Sequence, residues 1–539
     1  MYKNPVSMYN IASTLRGTEE YSMAHTFQRD KSTALVSTAS GQIRGYRHDG
    51  LTIFKGIPYA SAKRFHAPEA VEPWKDVLDC ASYGFVAPLL NNERPNGELY
   101  VPHRYWPMDE RCQNLNVWTP GLDDAARPVL VWLHGGGYSA GSAIEHIAYD
   151  GANMSRLGDV VVVSINHRLN ILGYFDLSDF GEEYANSGNA GGDDIIAALR
   201  WVRDNIAAFG GDPNNVTVFG QSGGGAKVTT LLQSPAADGL YAKGVIMSGV
   251  IGPVLSDARG SGKAMVEAVM KELDLSNAQS LETVDYASFA RAYRKVRPAL
   301  QAAGENIGCC PHPNAFYKGE PVTNGFRVET SRVPLLIGSV FGEFSSFSPA
   351  PYDRDAMSEA EQLDYLHNAF GAQTAEQLLP IFRKAYPERQ PIDLVRLDSI
   401  FRAPEIRYIA ERSRLNECTW SYLFNMDQPI DGGNTPWHCS DIPYWFHNID
   451  LVEYPHGDSG EASVSTRIQE ALFQSIIAFA RHGNPNNGMI PEWRACAPDH
   501  ECTLVAGTTI EVKENFDHSL IASLAAREGS ISIGQNVQH

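Results

Sequence analysis

The segment Val216-Thr217-Val218-Phe219-Gly220-Gln221-Ser222-Gly223-Gly224 constrains the fold most, because a short β-branched run passes directly into a glycine-flanked serine. A helical pattern follows to Leu232. At so tight a strand-to-helix turn the serine sits on strained backbone that lifts its Oγ clear of a sheet. Bulky neighbours would collide there, and Gly220, Gly223 and Gly224 remove them. The helix N-terminus behind Ser222 directs unpaired N–H groups at any negative charge developing in front of it. A glycine turn with an incidental serine would show the same bare pattern, so the rest of the chain has to decide.

The surrounding runs read as an α/β alternation. Val129-Leu130-Val131-Trp132-Leu133 and Val160-Val161-Val162-Val163 are strand-sized and apolar throughout, as strands buried on both faces are. Ile195, Leu199, Val202, Ile206 and Phe209 form one stripe of a helix predicted from Asp193 to Phe209, which Gly210-Gly211-Asp212-Pro213 ends. Further strands are expected at 245–247, 333–337 and 419–424, and a last amphipathic helix from Thr466 to Arg481. The expected architecture is a large central, mostly parallel mixed sheet flanked by helices. Helix-rich insertions at about 255–330 and 350–415 would shape a gorge. With no internal repeat or low-complexity linker, residues 34–525 read as a single catalytic domain between an extension, 1–33, and a tail, 526–539.

Composition narrows the function. The 539 residues are 43% hydrophobic and 20% charged, enough for a large core. Lys and Arg number 44 against 63 Asp and Glu, and a net charge of −19 argues against a nucleic-acid partner, which needs a basic face. Eight cysteines are too sparse for a disulfide scaffold. Met1 to Asp30 contains no apolar core of a secretory signal, and no window approaches the roughly 18 apolar residues of a membrane span. The expectation is a soluble, cytoplasmic protein with no membrane partner.

A second glycine cluster, His134-Gly135-Gly136-Gly137-Tyr138, directly follows the run ending at Leu133. Bare backbone N–H groups at such a loop can approach a developing oxyanion closely. A triplet of glycines after one strand and G-x-S-x-G after a later one is the chain order of an α/β-hydrolase. A serine nucleophile needs a base, and histidine titrates near neutrality, so activity should fall as a protonating pH removes that base. Among 16 histidines, His438 follows the predicted 419–424 strand; His447, His456, His482 and His500 are less well placed. The partner carboxylate is Glu343, after the 333–337 strand, or Asp441, which lies only three residues from His438 and suits a role within its loop.

Several segments together resemble the type-B carboxylesterase and cholinesterase family of α/β-hydrolases, especially its bacterial carboxylesterase branch. They include Phe54-Lys55-Gly56-Ile57-Pro58-Tyr59-Ala60, Leu115-Asn116-Val117-Trp118, Asn166-His167-Arg168, Ala198-Leu199-Arg200-Trp201-Val202, Phe209-Gly210-Gly211-Asp212-Pro213 and both glycine clusters. The resemblance spans about residues 34–515. It implies Ser222 as nucleophile, His438 as general base and acid, Glu343 as the orienting carboxylate, and the N–H groups of Gly136, Gly137 and Gly223 as an oxyanion hole. The implied reaction is ester hydrolysis through an acyl-enzyme, with a small ester and water as substrates and no cofactor or metal. Amide, carbamate or thioester hydrolysis shares that machinery, and the family also holds non-catalytic members.

Three positions depart from the family pattern. Gln221 stands where Glu is usual, Gly223 where Ala is usual, and Gly342 where an acidic residue commonly precedes the triad Glu. The cysteine that pairs with the equivalent of Cys112 in secreted members is missing, with Ala87 near its place. Cys309-Cys310-Pro311-His312 lacks zinc-finger spacing and reads as a packed loop. Cys439 and Tyr444-Trp445-Phe446 read as packing beside and beneath the histidine loop.

Overall fold

The computed structural model describes residues 26–91, 103–250, 260–346, 350–430, 433–452 and 463–528. Most of the expected extension, the tail beyond 528, His456 and the start of the first insertion lie outside the described residues.

Alternate residues of the apolar runs divide between two cores. Val129, Val131 and Leu133 join Ile195, Leu199 and Val202 on one face of the sheet, while Leu130 and Trp132 join Leu472 and Ile476 on the other. A strand with no water-facing side needs the unbroken apolar run seen in the sequence. Each such side chain contributes about 1.5–3 kcal/mol on burial.

The main sheet has 12 strands. In spatial order they are Phe27–Gln28, Tyr46–His48, Leu51–Pro58, Asn114–Thr119, Val161–Ile165, Arg127–Leu133, Gly211–Gln221, Lys243–Met247, Leu335–Val340, Thr419–Phe424, Cys502–Ala506 and Ile510–Glu514. Pairing is antiparallel up to Val161–Ile165, parallel from there to Cys502–Ala506, and antiparallel at the final hairpin. Parallel strands present their carboxyl ends along one edge of the sheet, which is where α/β folds bind ligands. His134, Ser222 and Glu343 all follow carboxyl ends of the parallel block, and His438 lies in the loop leaving Phe424.

The predicted elements are present; the strand Thr419–Phe424 and the helix ending at Leu232 keep their expected ends, and others are shifted. The helix predicted to Phe209 is α-helical only over Ala190–Asn205 and tightens to a 3₁₀ turn at Ile206–Phe209, ending at Gly210 with φ +77°. The serine strand begins at Gly211 rather than Val216, with a register shift between them. Strands expected at 160–163 and 333–337 run Val161–Ile165 and Leu335–Val340. The sheet also starts inside the expected extension, because Phe27–Gln28 pairs with Arg47 and His48. At the other end, the His518–Glu528 helix continues past 525.

The insertions have their own cores. Lys263–Glu272 and Tyr286–Ala302 pack through Val266, Val269, Phe289 and Tyr293 onto Phe175, and Glu359–Phe370 and Ala372–Ala385 pack through Leu366 and Phe382 onto Phe341. No helix of the described residues is long and apolar enough to cross a membrane. Ala87, Cys112 and Leu169 form a small buried cluster.

Candidate active site

The Gly211–Gln221 strand is held by parallel neighbours on both sides, and Ser222 turns off its end into the Gly223–Leu232 helix. Ser222 adopts φ +57°, ψ −126°, a conformation that costs a side-chain-bearing residue about 1–3 kcal/mol. Two backbone bonds pin it: Ser222 N–H donates to Met247 O at 2.8 Å, and Ala226 N–H donates to Ser222 O at 3.0 Å. The turn has no room for larger neighbours. A Cβ at Gly220 would lie 2.6 Å from Leu133 O, one at Gly224 would overlap Leu133 O, and one at Gly223 would overlap the Gly137 backbone.

The loop after Leu133 lies against this turn. Gly136 and Gly137 take φ +84° and +63°, open to glycine and strained for other residues. Gly136 O accepts from the N–H groups of Ser139 and Ala140, while Asn170 donates its backbone N–H to Tyr138 O and its amide to Ser139 O. Among the described residues, the N–H groups of Gly136, Gly137 and Gly223 make no hydrogen bond. Donors left bare beside a serine are what an oxyanion requires.

His438 and Glu343 meet across two loops. Nδ1 of His438 donates to Glu343 Oε2 at 2.5 Å, and Glu343 Oε1 accepts the Val340 N–H at 2.9 Å. The loops are also joined by backbone: His438 N–H to Glu343 O at 2.9 Å and Gly342 N–H to Pro436 O at 3.0 Å. A Cβ at Gly342 would lie 2.5 Å from Thr435 Oγ1 and 2.9 Å from Pro436 O, so the closed loops leave no room for a side chain there. Asp441 accepts instead from the Tyr422 hydroxyl at 2.8 Å, and burial raises its carboxyl to about 6. Glu343 is therefore the carboxylate on the imidazole, and Asp441 serves the floor of the loop.

Ser222 and His438 do not share a hydrogen bond; among the described residues the Ser222 hydroxyl makes none. The Gln221 amide nitrogen lies 3.3 Å from His438 Nδ1 and 3.2 Å from Nε2, a spacing that puts it over the ring face, while its oxygen accepts from the Cys439 thiol at 3.1 Å. Phe401 also stacks on the imidazole, with ring centroids 5.3 Å apart at 30°. The sequence offered no signal for Phe401, because it comes from the second insertion. Behind Glu343, Asp398 accepts three backbone N–H groups and is raised to about 8, by burial first and by the Glu343 charge second.

Tyr444, Trp445 and Phe446 are fully buried, and Phe446 packs edge-on to Trp132 at 5.0 Å. Of the less well placed histidines, His447 pairs with Glu470 and His500 with Glu514. The described residues bring together one cluster with metal-ligand atoms within 4.8 Å of one another, His500, Cys502 and Glu514, on the final hairpin.

The carboxylesterase family model matches residues 32–521. The para-nitrobenzyl esterase of Bacillus subtilis (strain 168) is 32% identical over 497 residues, covering 89% of this chain and 96% of its own. The phenmedipham hydrolase of Pseudarthrobacter oxydans is 31% identical over 489 residues, covering 88% and 95%. Among solved structures, an esterase from anaerobic Clostridium hathewayi, described as able to hydrolyse aliphatic aromatic polyesters, superposes with a TM-score of 0.90 at 47% identity. That match covers 93% of this chain and 100% of the other. A family match over nearly the whole chain and this shared α/β-hydrolase fold agree: the chain belongs to the carboxylesterase family and is a carboxylesterase.

Proposed function

We propose that the enzyme hydrolyses carboxylic esters through an acyl-enzyme on Ser222. The observation carrying this is the 2.5 Å bond from His438 Nδ1 to Glu343, which leaves Nε2 as the basic nitrogen of the imidazole. As Ser222 Oγ bonds to the ester carbonyl carbon, Nε2 takes its proton, and the carbonyl oxygen becomes an oxyanion facing the N–H groups of Gly136, Gly137 and Gly223. The intermediate collapses by breaking the bond to the alkoxy oxygen, which leaves as an alcohol with the proton from Nε2. Water then attacks the acyl-enzyme with His438 as base, and the acid departs as Ser222 recovers its proton. Glu343 stays ionised throughout and stabilises the imidazolium. The serine–histidine bond forms as substrate enters, since such contacts are often long before substrate binds.

Ser222→Ala tests the reading. Turnover of a p-nitrophenyl ester should fall by about 10⁴-fold or more in a protein that still melts cooperatively. Retained turnover in the folded variant would sink it. The two carboxylesterase-family relatives named for different substrates make a matched ester and amide pair the natural second assay, with the ester expected to be cleaved faster.

A further inference from the structure

Five residues beyond Ser222, on the same helix, Lys227 is 1% exposed. Its Nζ donates to the carbonyl oxygen of His134 at 2.9 Å. A buried ammonium is expensive unless its charge and its N–H groups are met. Burial pushes this amine down to about 7, against the upward pull of Glu145. Glu145 in turn is bonded to His103 Nδ1 at 2.7 Å. Two imidazoles lie beside the amine: His134 and His167 stack with centroids 5.1 Å apart at 23°. Their Nδ1 atoms donate to Gly135 O and Arg168 O, both at 2.9 Å. Burial and the Lys227 charge hold both rings far below the ordinary histidine range, so both are neutral. Arg168, whose backbone oxygen accepts from His167, is committed to Asp194 at 2.7 Å. Lys227 thus brings a cation to the first carbonyl of the glycine loop.

We infer that Lys227 is a positioning residue that, as a cation, grips the His134 carbonyl from behind and fixes the glycine loop in its oxyanion-binding shape. The inference rests on the reading that this loop receives an oxyanion. A trans peptide is planar, so its C=O and N–H point in opposite directions. Holding the His134 carbonyl toward Lys227 fixes the plane of the loop's first peptide, from which the chain runs on to the Gly136 and Gly137 N–H groups. Gly135 stands beside the nucleophile, where a Cβ would be 3.5 Å from Ser222 Cβ. The fixed charge of Lys227, kept from water below the loop, favours negative charge forming above it. The same helix therefore carries the strained serine at its start and the anchor of the opposing loop one turn later.

Lys227→Met keeps the length of the side chain and removes its charge and donors. The expected result is a kcat on p-nitrophenyl acetate lower by on the order of 10–100-fold with KM within about threefold, because the group acts on the transition state. The pH profile adds a readout that a packing role would not move. In the wild type kcat should fall as pH rises through the Lys227 titration, since the cation is lost, and the Met variant should lack that alkaline limb. A folded variant with kcat within twofold of wild type, or one that keeps the limb, overturns the inference. Should the variant not fold, the wild type alone decides. A trifluoromethyl ketone, which forms a tetrahedral oxyanion on an active serine as His438 takes the serine proton, should bind more weakly as pH rises from about 7.5 to 10, above the ordinary histidine range in which a protonated base blocks the addition. Unchanged affinity across that range overturns the inference. Ser222→Ala separates the two levels: a live Ser222 variant sinks the functional reading, whereas a dead one beside an unimpaired Lys227→Met sinks only the role of Lys227.

Discussion

Two glycine-rich turns face each other at the carboxyl edge of the sheet, and they need glycine for different reasons. At the serine turn the strain falls on Ser222, with φ +57°, while Gly223 and Gly224 are required because a neighbouring backbone occupies the space of a Cβ. In the His134–Tyr138 loop the glycines themselves take the left-handed backbone, which they adopt without strain; a Cβ at Gly136 would overlap Ala140 O, but the space around Gly137 is nearly open, its nearest contact being Ser139 N at 3.9 Å. The first turn is fixed by close packing and by its two strand neighbours. The second is held from outside by a few hydrogen bonds, one from Lys227, two from Asn170 and one between the Tyr138 and Thr230 hydroxyls. One turn is a rigid reference; the other is an adjustable surface brought up to it.

Substitutions that add one methyl group separate these cases. Gly224→Ala should be the most damaging, since its Cβ overlaps Leu133 O between the end of a core strand and the first turn of a buried helix. Overpacking of this kind costs about 1–3 kcal/mol or more. Thermal or urea unfolding should show that loss, and a variant as stable as wild type would mean the serine turn is less tightly packed than its contacts imply. Gly223→Ala should leave stability closer to wild type and strike activity instead. Its Cβ falls on the Gly137 backbone, and the loop is the partner able to move. Displacing an oxyanion donor costs on the order of 10²-fold in kcat. Unchanged kcat would show that the loop can retreat without losing its aim.

The sequence revealed the parts of the site that depend on local chain geometry. Gly220-Gln221-Ser222-Gly223-Gly224 and the glycine triplet were legible because a strained turn and a bare loop each demand particular residues at fixed offsets. The parallel strands were legible because burial on both faces writes an uninterrupted apolar run. What depended on distant segments was not. Choosing Glu343 over Asp441 needed the resemblance, since no spacing rule brings residue 343 to residue 438; the structure does so through paired loops that close on Gly342. The overlay of Gln221 on His438, the stacking of Phe401 and the burial of Lys227 all arise between elements far apart in the chain. A lysine in a helix after a serine turn reads as solvent-facing until the loop that covers it is seen. The edge strand Phe27–Gln28 escaped notice because two residues carry no periodicity.

Gly137→Ala is the mildest of the substitutions and the sharpest test of the contrast. No atom blocks the added methyl, so the cost is the left-handed backbone alone, about 1–2 kcal/mol for an L residue at φ +63°. The loop can shed that strain by rotating the peptide before or after residue 137, which turns an N–H away from the oxyanion position. Stability should therefore fall by no more than that amount while kcat falls about 3–10-fold, with KM little changed, because a donor is misaimed for part of the time. The serine turn has no such choice, having backbone on every side. If Gly137→Ala instead lowered stability as much as Gly224→Ala and left kcat alone, the loop would be as rigidly packed as the serine turn, and the distinction between reference and adjustable surface would collapse.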